Sequence, residues 1–519
     1  MDTYTEIDGD HLTIEKVLSV ARHFQKVKLS AQSKKKMEDS HEVVERLLRT
    51  DNPMYAINTG FGPFRDKRIN NSDIETLQTN MMRSHAVGVG NPFPEEIVRA
   101  AMLIRANTIA KGHSGARQVV VDTLLEMLNQ RVTPFVPEKG SVGASGDLAP
   151  LSHVALVMLG EGEAYYNSEK IPGKRAMERA GIHPIVLKAK EGVAVNNGTT
   201  FSAAEAAIGV SDSEALMKNA LMAASLSFEA LKITSKAFDE RIHALRPHPG
   251  QMKAARIIRE FTRGSEIIDS MQNKVQDDYS VRCTPQVVGA SLDALAYVRG
   301  IVERELNSVT DNPILVDTTP ISGGNFHGQP LALPMDFLGI ALSEVGNISE
   351  RRIAKLTNVH HSDGLPPFLI PEERAGVNSG FMMVQYTAAA LVSENKILSH
   401  PASVDSIPTS ANAEDHVSMS TIAARKANEI CENVEYIIGI EFLCAAQGID
   451  LRKDEFSIPD DLGEGTRMMY ETIREEIPYL EEDRYMYPDM MKIKRMIHDR
   501  VFIEKTDSLW RKVHDQTHV

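Results

Sequence analysis

Apolar positions recur at helical spacing over most of the chain beyond residue 199. Stretches rich in alanine, methionine and leucine occupy residues 200–235, 285–308, 331–358, 379–400 and 417–447. Several are longer than the usual helix of a globular protein, and proline-containing breaks separate them. This pattern predicts an all-α domain over 199–519, built as a long-helix bundle with shorter packing helices in the charged C-terminal tail.

Residues 1–198 have a mixed pattern. We predict a helix entry at 11–17, helices at 38–50, 77–85 and 97–130, the last as one long helix, and a small strand pair within 161–190. The chain is therefore expected to be mainly α, with an N-terminal domain over 1–198 that contains few short strands.

Composition narrows the class of protein. The chain has 519 residues, of which 42% are hydrophobic and 25% charged, as in a globular protein with a large core. Its formal net charge of −14 argues against nucleic-acid binding. Cys283, Cys431 and Cys444 are too few for a disulfide framework and fit a reducing compartment. With no apolar signal region and no membrane-length apolar run, we expect a cytoplasmic protein without a membrane partner.

A glycine-rich stretch at 138–153 is the strongest chemical signal. Gly140, Gly143 and Gly146 lie close together, so the backbone can turn tightly or be approached closely. Asp147 then suits a helix N-cap, and apolar residues follow at helical spacing. The tripeptide Ala144-Ser145-Gly146 is therefore predicted to lie at the positive end of a helix dipole.

Three kinds of loop chemistry can be compared with this stretch. A phosphate-binding loop would need a lysine after Gly146, and a hydrolase elbow would need glycine where Asp147 stands. Alternatively, the Gly146 nitrogen could attack the Ala144 carbonyl in a tight turn. Loss of water there and from Ser145 would leave an exocyclic methylene, an electrophile made from the chain itself. An ordinary glycine-rich helix entry without chemistry, as in a catalytically silent helical scaffold, remains the alternative.

The stretch resembles that of the aromatic amino acid ammonia-lyases and aminomutases, which carry a methylidene-imidazolone (MIO) group, and the likeness covers nearly the whole chain. The resemblance implies an ammonia-lyase/fumarase-like fold with an MIO-bearing N-terminal domain and a central helical bundle. It also implies a carbon–nitrogen lyase with no external cofactor, whose MIO forms from Ala144, Ser145 and Gly146. The implied assembly is a homotetramer in which each active site draws on three subunits.

Two further motifs carry roles implied by the resemblance. Tyr55 begins a Tyr-x-Ile-Asn-Thr-Gly-Phe-Gly segment and is implied as the catalytic base, although a packed structural tyrosine is the alternative. Its pKa would have to be lowered by nearby positive charge or dipoles. Asn197 stands in an Asn-Gly-Thr turn and is implied to hold the MIO carbonyl or the substrate amine. Asn196 replaces an apolar family residue.

Substrate choice is implied by the pair Ser84-His85, which matches the histidine-specific members of the family. A neutral imidazole can exchange hydrogen bonds with another imidazole, whereas a phenylalanine ring cannot. Glu414 matches the carboxylate implied to face the substrate ring or assist with the amine. Ala413 stands where those members usually carry glutamine. The implied reaction is the non-oxidative conversion of L-histidine to trans-urocanate and ammonia.

The remaining implied site residues follow helix breaks. Gln276, Tyr279 and Arg282 are spaced three apart and would share one face of a helical turn, which could also be merely solvated. By resemblance Arg282 binds the substrate carboxylate, for which its guanidinium fork is suited, and Tyr279 lies by the MIO. Phe326 resembles the aromatic residue beside the MIO and substrate, while Gln329 carries no assigned role.

Other functions remain open at this stage. The same prosthetic group could serve an aminomutase or a tyrosine or phenylalanine lyase, although Ser84-His85 argues against the two lyases. Metal catalysis is not expected, because the chain has no His-Glu-x-x-His or Cys-x-x-Cys pair.

Overall fold

The structure of the chain, a computed structural model, describes residues 4–50 and 53–515, and most of these residues are helical. The mainly α fold is therefore confirmed. Contacts group the chain into a first unit, Met1–Ser211, Val298–Asp336 and Pro401–Arg425, and a second unit, Asp212–Tyr297, Phe337–His400 and Lys426–Val519. This grouping differs from the predicted division at 198/199, because 298–336 and 401–425 pack with N-terminal residues that are distant in sequence.

Helices that begin within the first 200 residues are mostly short. They are α1 (Ile14–Ala21), α2 (Ala31–Leu48), α3 (Ile74–His85), α4 (Glu95–Ala110), α5 (Gln118–Asn129), α6 (Leu148–Met158), α7 (Gly173–Arg179), α8 (Glu191–Asn196) and α9 (Thr200–Ala230). The entry predicted at 11–17 is helix α1. The Thr13 side chain caps it by accepting a hydrogen bond from the Lys16 backbone.

The single long helix predicted over 97–130 is wrong. Helix α4 ends at Ala110 and helix α5 begins at Gln118. Between them Gly112 and Gly115 have φ values of +82° and +68°, which break a right-handed helix. A Cβ on Gly112 would lie 2.8 Å from backbone atoms of Lys36, so this loop passes directly against helix α2.

Strands are few and short, as predicted. They are β1 (Thr5–Ile7), β2 (Val27–Leu29), β3 (Val89–Pro92), β4 (Thr133–Pro134), β5 (Pro137–Lys139), β6 (Glu163–Tyr166), β7 (Glu169–Pro172), β8 (Ile314–Val316) and β9 (Thr319–Ile321). Strands β1 and β2 form a parallel pair, and β3 and β5 form an antiparallel pair. The strand pair predicted within 161–190 is the β6–β7 hairpin, which β4 extends to three strands.

The later helices follow the apolar stretches read from the sequence. They are α10 (Glu240–Ala244), α11 (Pro249–Phe261), α12 (Tyr279–Arg282), α13 (Thr284–Glu305), α14 (Gln329–Leu356), α15 (Met382–Leu398), α16 (Ser420–Asp450), α17 (Glu464–Glu476), α18 (Tyr487–His498), α19 (Val501–Lys505) and α20 (Asp507–Asp515). Helices α9, α13, α14, α15 and α16 confirm the five long helical stretches, and α17 to α20 are the predicted shorter helices of the tail.

Helix α14 is long and apolar enough, by length and composition alone, to cross a membrane. Of its most apolar window, 72% is buried inside the protein, as in a core helix of a globular fold. The expectation from the sequence that no apolar segment is long enough to cross a membrane is therefore wrong for α14, by length and composition. Its apolar residues pack against protein, because Leu338, Leu342 and Val345 are fully buried.

Candidate active site

The first unit contains a cavity of about 950 Å³. It is bounded by the loop 53–69, one face of α3, the tripeptide turn, the end of α8 and two loops near 312–326 and 410–414. Six of the residues predicted for the site line it: Tyr55, His85, Ser145, Asn197, Phe326 and Glu414. The fold therefore brings residues from six separate stretches of sequence to one cavity.

The tripeptide Ala144-Ser145-Gly146 lies in a turn that has no room for a side chain at Gly143 or at Gly146. Gly143 and Gly146 have φ values of +64° and +70°, in the left-handed region. A Cβ on Gly146 would overlap the backbone of Gly198, and one on Gly143 would overlap the hydroxyls of Ser418 and Ser420. The turn is thus enclosed on both sides, while Ser145 itself faces the cavity.

Asn197 makes the most direct side-chain contact with the tripeptide. Its Nδ2 donates to the Ser145 carbonyl oxygen at 2.6 Å and to the Ser145 hydroxyl at 2.8 Å. Its neighbour Gly198 accepts a hydrogen bond from the Asp147 backbone N–H at 2.7 Å. The segment that carries Asn197 is therefore fixed to the tripeptide turn at two points.

Asp147 precedes helix α6 as predicted, yet its carboxylate makes no capping hydrogen bond to that helix. It is fully buried and accepts instead from the Ser141 hydroxyl at 2.8 Å, the Ser202 backbone N–H at 2.8 Å and the Thr421 hydroxyl at 2.6 Å. Ser202 lies in the first turn of α9, where backbone N–H groups favour a negative charge. Asp147 thus ties the turn to segments that are distant in sequence.

Glycine contacts also fix the segment that carries Phe326. The Gly143 carbonyl accepts from the Gly328 backbone N–H at 3.2 Å and from the Ser418 hydroxyl at 2.9 Å. Phe326 is half-buried and lines the cavity. The backbone two residues beyond Phe326 is therefore held against the tripeptide turn, and the role implied for the Phe326 ring stays a prediction.

Tyr55 lines the cavity, half-buried, and its ring meets Phe61 edge to face at a centroid distance of 6.4 Å. Burial raises the pKa of its phenol, and the Glu414 carboxylate adds to this, against the opposing effects of the Gly62 backbone and Arg65. The sequence-based requirement was a lowered pKa. In the single chain the pKa of Tyr55 is raised instead, because burial, which removes water from around the phenol, is the largest effect on it.

His85 ends helix α3 and faces the same cavity. Its Nδ1 lies 3.0 Å from the Ser84 hydroxyl. Burial lowers the pKa of the imidazole below its ordinary value, although the Met81 backbone and Glu414 act the other way. His85 is accordingly neutral near pH 7, with one ring nitrogen able to donate and the other to accept.

Glu414 also lines the cavity, on a short loop closed by paired backbone hydrogen bonds with Thr409. Its Oε2 accepts from the Thr409 hydroxyl at 3.0 Å. That contact orients the carboxylate, whose Oε1 accepts no hydrogen bond from the residues that the structure describes. Glu414 is therefore held by one oxygen while the other remains able to accept from a ligand.

Gln276, Tyr279 and Arg282 belong to the second unit, and none of them lines this cavity. Tyr279 is 70% exposed, and the Arg282 guanidinium lies 4.5 Å from the centre of its ring. The Arg352 guanidinium, buried beside Glu441, donates to the Ser280 carbonyl at 3.3 Å and so supports this turn. The roles implied for the three residues stay predictions.

Several cavity residues escaped the sequence analysis. Leu77, Asn80 and Met81 recur at helical spacing before the pair Ser84-His85, and this periodicity could have marked them as one face. Asn312 and Ser322 come from a distant loop and left no comparable signal. Asn196 is buried, lines the cavity and donates to the Ser152 hydroxyl at 3.2 Å.

Within residues 4–50 and 53–515, no group of three or more histidine, cysteine, aspartate or glutamate side chains is arranged to hold a metal ion. The polar groups of the cavity include side-chain amides, hydroxyls, an imidazole, a phenol, the carboxylates of Asp66 and Glu414 and the cations of Arg65 and Lys67. Such groups can hydrogen-bond an aromatic amino acid and transfer protons, but they supply no strong electrophile. The tripeptide turn is the part of the cavity wall that could supply one.

Comparisons with known proteins agree with this chemistry. The family described as aromatic amino acid lyase matches residues 12–475. A histidine ammonia-lyase of Treponema denticola is 53% identical over 95% of this chain and 96% of its own length. One of Alkaliphilus oremlandii is 50% identical over 96% of this chain and 98% of its own.

Solved structures share the fold across different activities. The histidine ammonia-lyase from Trypanosoma cruzi superposes with a TM-score of 0.90 at 38% identity, covering 98% of this chain and 96% of that one. The tyrosine aminomutase from Streptomyces globisporus superposes with a TM-score of 0.92 at 35% identity, covering 98% and 99%. The fold alone therefore does not select the substrate.

Proposed function

The chain belongs to the aromatic amino acid lyase family, and from that membership we propose that it acts as a histidine ammonia-lyase, converting L-histidine to trans-urocanate and ammonia. The observation that carries the proposal is the agreement between two independent features. Relatives named histidine ammonia-lyase are about 50% identical over almost the entire chain. The cavity also presents a neutral imidazole, His85, together with the Glu414 carboxylate, both suited to an imidazole ring.

The residues around Ala144-Ser145-Gly146 fit an MIO group. The turn has left-handed glycines at its ends, and Asn197 donates to the Ser145 carbonyl that would become the ring carbonyl. When formed, the MIO supplies an electrophilic carbon that captures the substrate amine and makes it a better leaving group. The Asn197 donor would stabilise negative charge on that carbonyl oxygen, as an oxyanion-hole donor does. The positive end of α6, beginning at Leu148, adds to this effect.

The other residues bind the substrate and move its proton. His85 and Glu414 exchange hydrogen bonds with the imidazole of the substrate, and Phe326 packs against it. Tyr55 removes the β-proton, so its pKa must fall below the value set by the isolated chain. A bound substrate ammonium group or a cation from another chain would act in that direction.

We further propose a homotetramer in which Gln276, Tyr279 and Arg282 complete the cavity of another copy. Their absence from the cavity lining of their own chain supports this arrangement, as does the exposure of Tyr279. Helix α15 buries only Val384, Ala388 and Asn395. It exposes apolar side chains that association would cover, namely Met383 at 61%, Tyr386 at 57% and Ile397 at 75%.

The free cysteines support the expectation of a reducing compartment.

Complementation tests this shared-site arrangement. Tyr55→Phe removes the base and Arg282→Leu removes the carboxylate clamp, so each variant alone should be inactive. If the two residues serve one cavity from different chains, tetramers assembled from both variants contain some cavities with both groups intact. We expect coexpression to restore a fraction of wild-type activity. Mixed tetramers that remain as inactive as the parents would reject the shared site.

The substrate assignment is tested with purified protein and a panel of L-histidine, L-tyrosine and L-phenylalanine. We expect the ultraviolet absorbance of urocanate and stoichiometric ammonia only with L-histidine. Turnover of tyrosine or phenylalanine without turnover of histidine would reject the assignment. An aminomutase is the second candidate, because tyrosine aminomutases superpose with TM-scores of 0.92 and 0.93. It would instead release a β-amino acid, which chromatography separates from urocanate.

A further inference from the structure

Arg105 lies on helix α4 and is almost completely buried, with 1% of its surface exposed. Its guanidinium donates to the Ala194 carbonyl at 3.2 Å, to the Asn197 carbonyl, and to the Thr310 hydroxyl at 2.9 Å. Burial lowers the pKa of the guanidinium to about 10, with Asp311 and Asp147 as the carboxylates that act against this, so the group is charged at neutral pH. The first unit thus carries a buried cation, and two of its three acceptors belong to one short segment.

That segment, 194–198, lies between Arg105 and the tripeptide turn. A Cβ on Gly198 would lie 2.7 Å from Arg105 Nη2 and 2.5 Å from Thr310 Oγ1, so the guanidinium and the hydroxyl press directly on the Gly198 backbone. On its other side the same residue leaves no room for a Cβ on Gly146 and accepts from the Asp147 N–H. Arg105 therefore supports from behind the Gly198 backbone that closes over Gly146.

We propose that Arg105 is a positioning residue for closure of the Ala144-Ser145-Gly146 ring, an inference that rests on the proposed function. Closure joins the Gly146 nitrogen to the Ala144 carbonyl carbon, whose oxygen leaves as water with the two backbone amide protons of Ser145 and Gly146. A second water takes the Ser145 hydroxyl and α-proton, and no oxidant or reductant is needed. Closure requires a compressed turn, which segment 194–198 maintains only while Arg105 and Thr310 hold it in place.

The test measures the intact mass of purified protein, which reports ring closure without an activity assay. The wild type should be lighter than its sequence by two waters. We expect Arg105→Met to be folded by circular dichroism but to retain the full sequence mass. Arg99→Met is the matched control. Arg99 lies on the same helix, is equally buried, and donates to the Ala21, Leu128 and Val20 carbonyls, none of which belongs to segment 194–198 or to the tripeptide turn.

Arg99→Met should lose stability yet keep the two-water deficit. A folded Arg105→Met protein that also shows the full deficit would overturn the proposal. Should Arg105→Met fail to fold, Thr310→Val provides a second route, since it keeps the cation and removes one of its anchors. In a time course after a short burst of synthesis, we expect Thr310→Val to acquire the deficit several-fold more slowly than wild type, and equal rates would overturn the proposal. A wild-type chain without the deficit would instead reject the proposed function itself.

Discussion

The side-chain amide of Asn197 donates to both the carbonyl oxygen and the hydroxyl of Ser145, at 2.6 and 2.8 Å. One nitrogen thus contacts the two groups of Ser145 that have different fates in the proposed cyclisation. The hydroxyl would leave as water, and the carbonyl would remain as part of the ring. Asn197 is therefore placed to act both before and after the ring forms. Its neighbour Asn196 makes no such contact with Ser145, so the effects of the two residues can be measured separately.

Asn197→Ala should lower kcat by about 10²- to 10³-fold, the usual cost of removing one donor to a developing oxyanion. Asn196→Ala is the matched control, because Asn196 lines the same cavity but donates to Ser152. Intact mass distinguishes a catalytic defect from failed ring closure in each variant. Equal losses of kcat in the two variants, with equal maturation, would contradict a specific role of Asn197.

Ser145→Ala should abolish turnover of L-histidine, because alanine cannot lose a hydroxyl to form the methylene. We expect a loss of at least about 10³-fold in kcat, together with disappearance of the two-water mass deficit. Ser225→Ala is a folding control, since Ser225 is a buried serine on helix α9 that donates to the Leu221 carbonyl. Near wild-type turnover by Ser145→Ala would contradict the proposed electrophile.

His85→Phe should lower kcat/KM for L-histidine by about 10²-fold or more, because the cavity would lose its partner for the substrate imidazole. Relative activity on L-phenylalanine should rise as the ring pocket becomes apolar. Ser84→Ala removes only the hydroxyl beside His85 Nδ1 and should have a smaller effect. An unchanged ratio of histidine to phenylalanine turnover in His85→Phe would show that specificity lies elsewhere.

Glu229 gives a prediction about stability rather than catalysis. Burial raises its pKa from 4.5 to about 7, despite hydrogen bonds from Ser265, Thr466 and the Gly463 backbone. The folded state then holds a proton that the unfolded state has released, so the stabilisation is complete below about pH 4.5 and is lost as pH rises through about 7. This difference in pKa between the folded and unfolded states corresponds to at most about 3 kcal/mol in the free energy of unfolding.

Glu229→Gln should therefore flatten the dependence of the free energy of unfolding on pH, measured by urea denaturation from about pH 5 to about pH 8. Glu471→Gln makes the same charge change at an exposed position of helix α17 and should leave the slope unchanged. Identical slopes in wild type and Glu229→Gln would show that this carboxyl does not titrate with folding.

Local features of this chain were readable from sequence because neighbours a few residues apart determine them. The five long helices follow apolar spacing, and Thr13 and Asp147 mark helix starts. The glycines around Ala144-Ser145-Gly146 predicted a tight turn, and all three of them, Gly140, Gly143 and Gly146, have positive φ values. The break between α4 and α5 was missed although Gly112 and Gly115 interrupt the apolar spacing between Ala110 and Val119, and their backbone freedom ends the helix there.

Tertiary structure decided what lies beside the turn. Arg105 and Thr310 are separated by 205 residues, and no periodicity links two residues that distant. The same holds for Asn312 and Glu414, which reach the cavity from separate loops. Packing also reversed the expectation for Tyr55, because removal of water around its phenol depends on neighbours that only the fold supplies. Sequence thus determined the glycine-rich turn around Ala144-Ser145-Gly146 and the helices, while the fold alone decided which distant side chains lie around that turn.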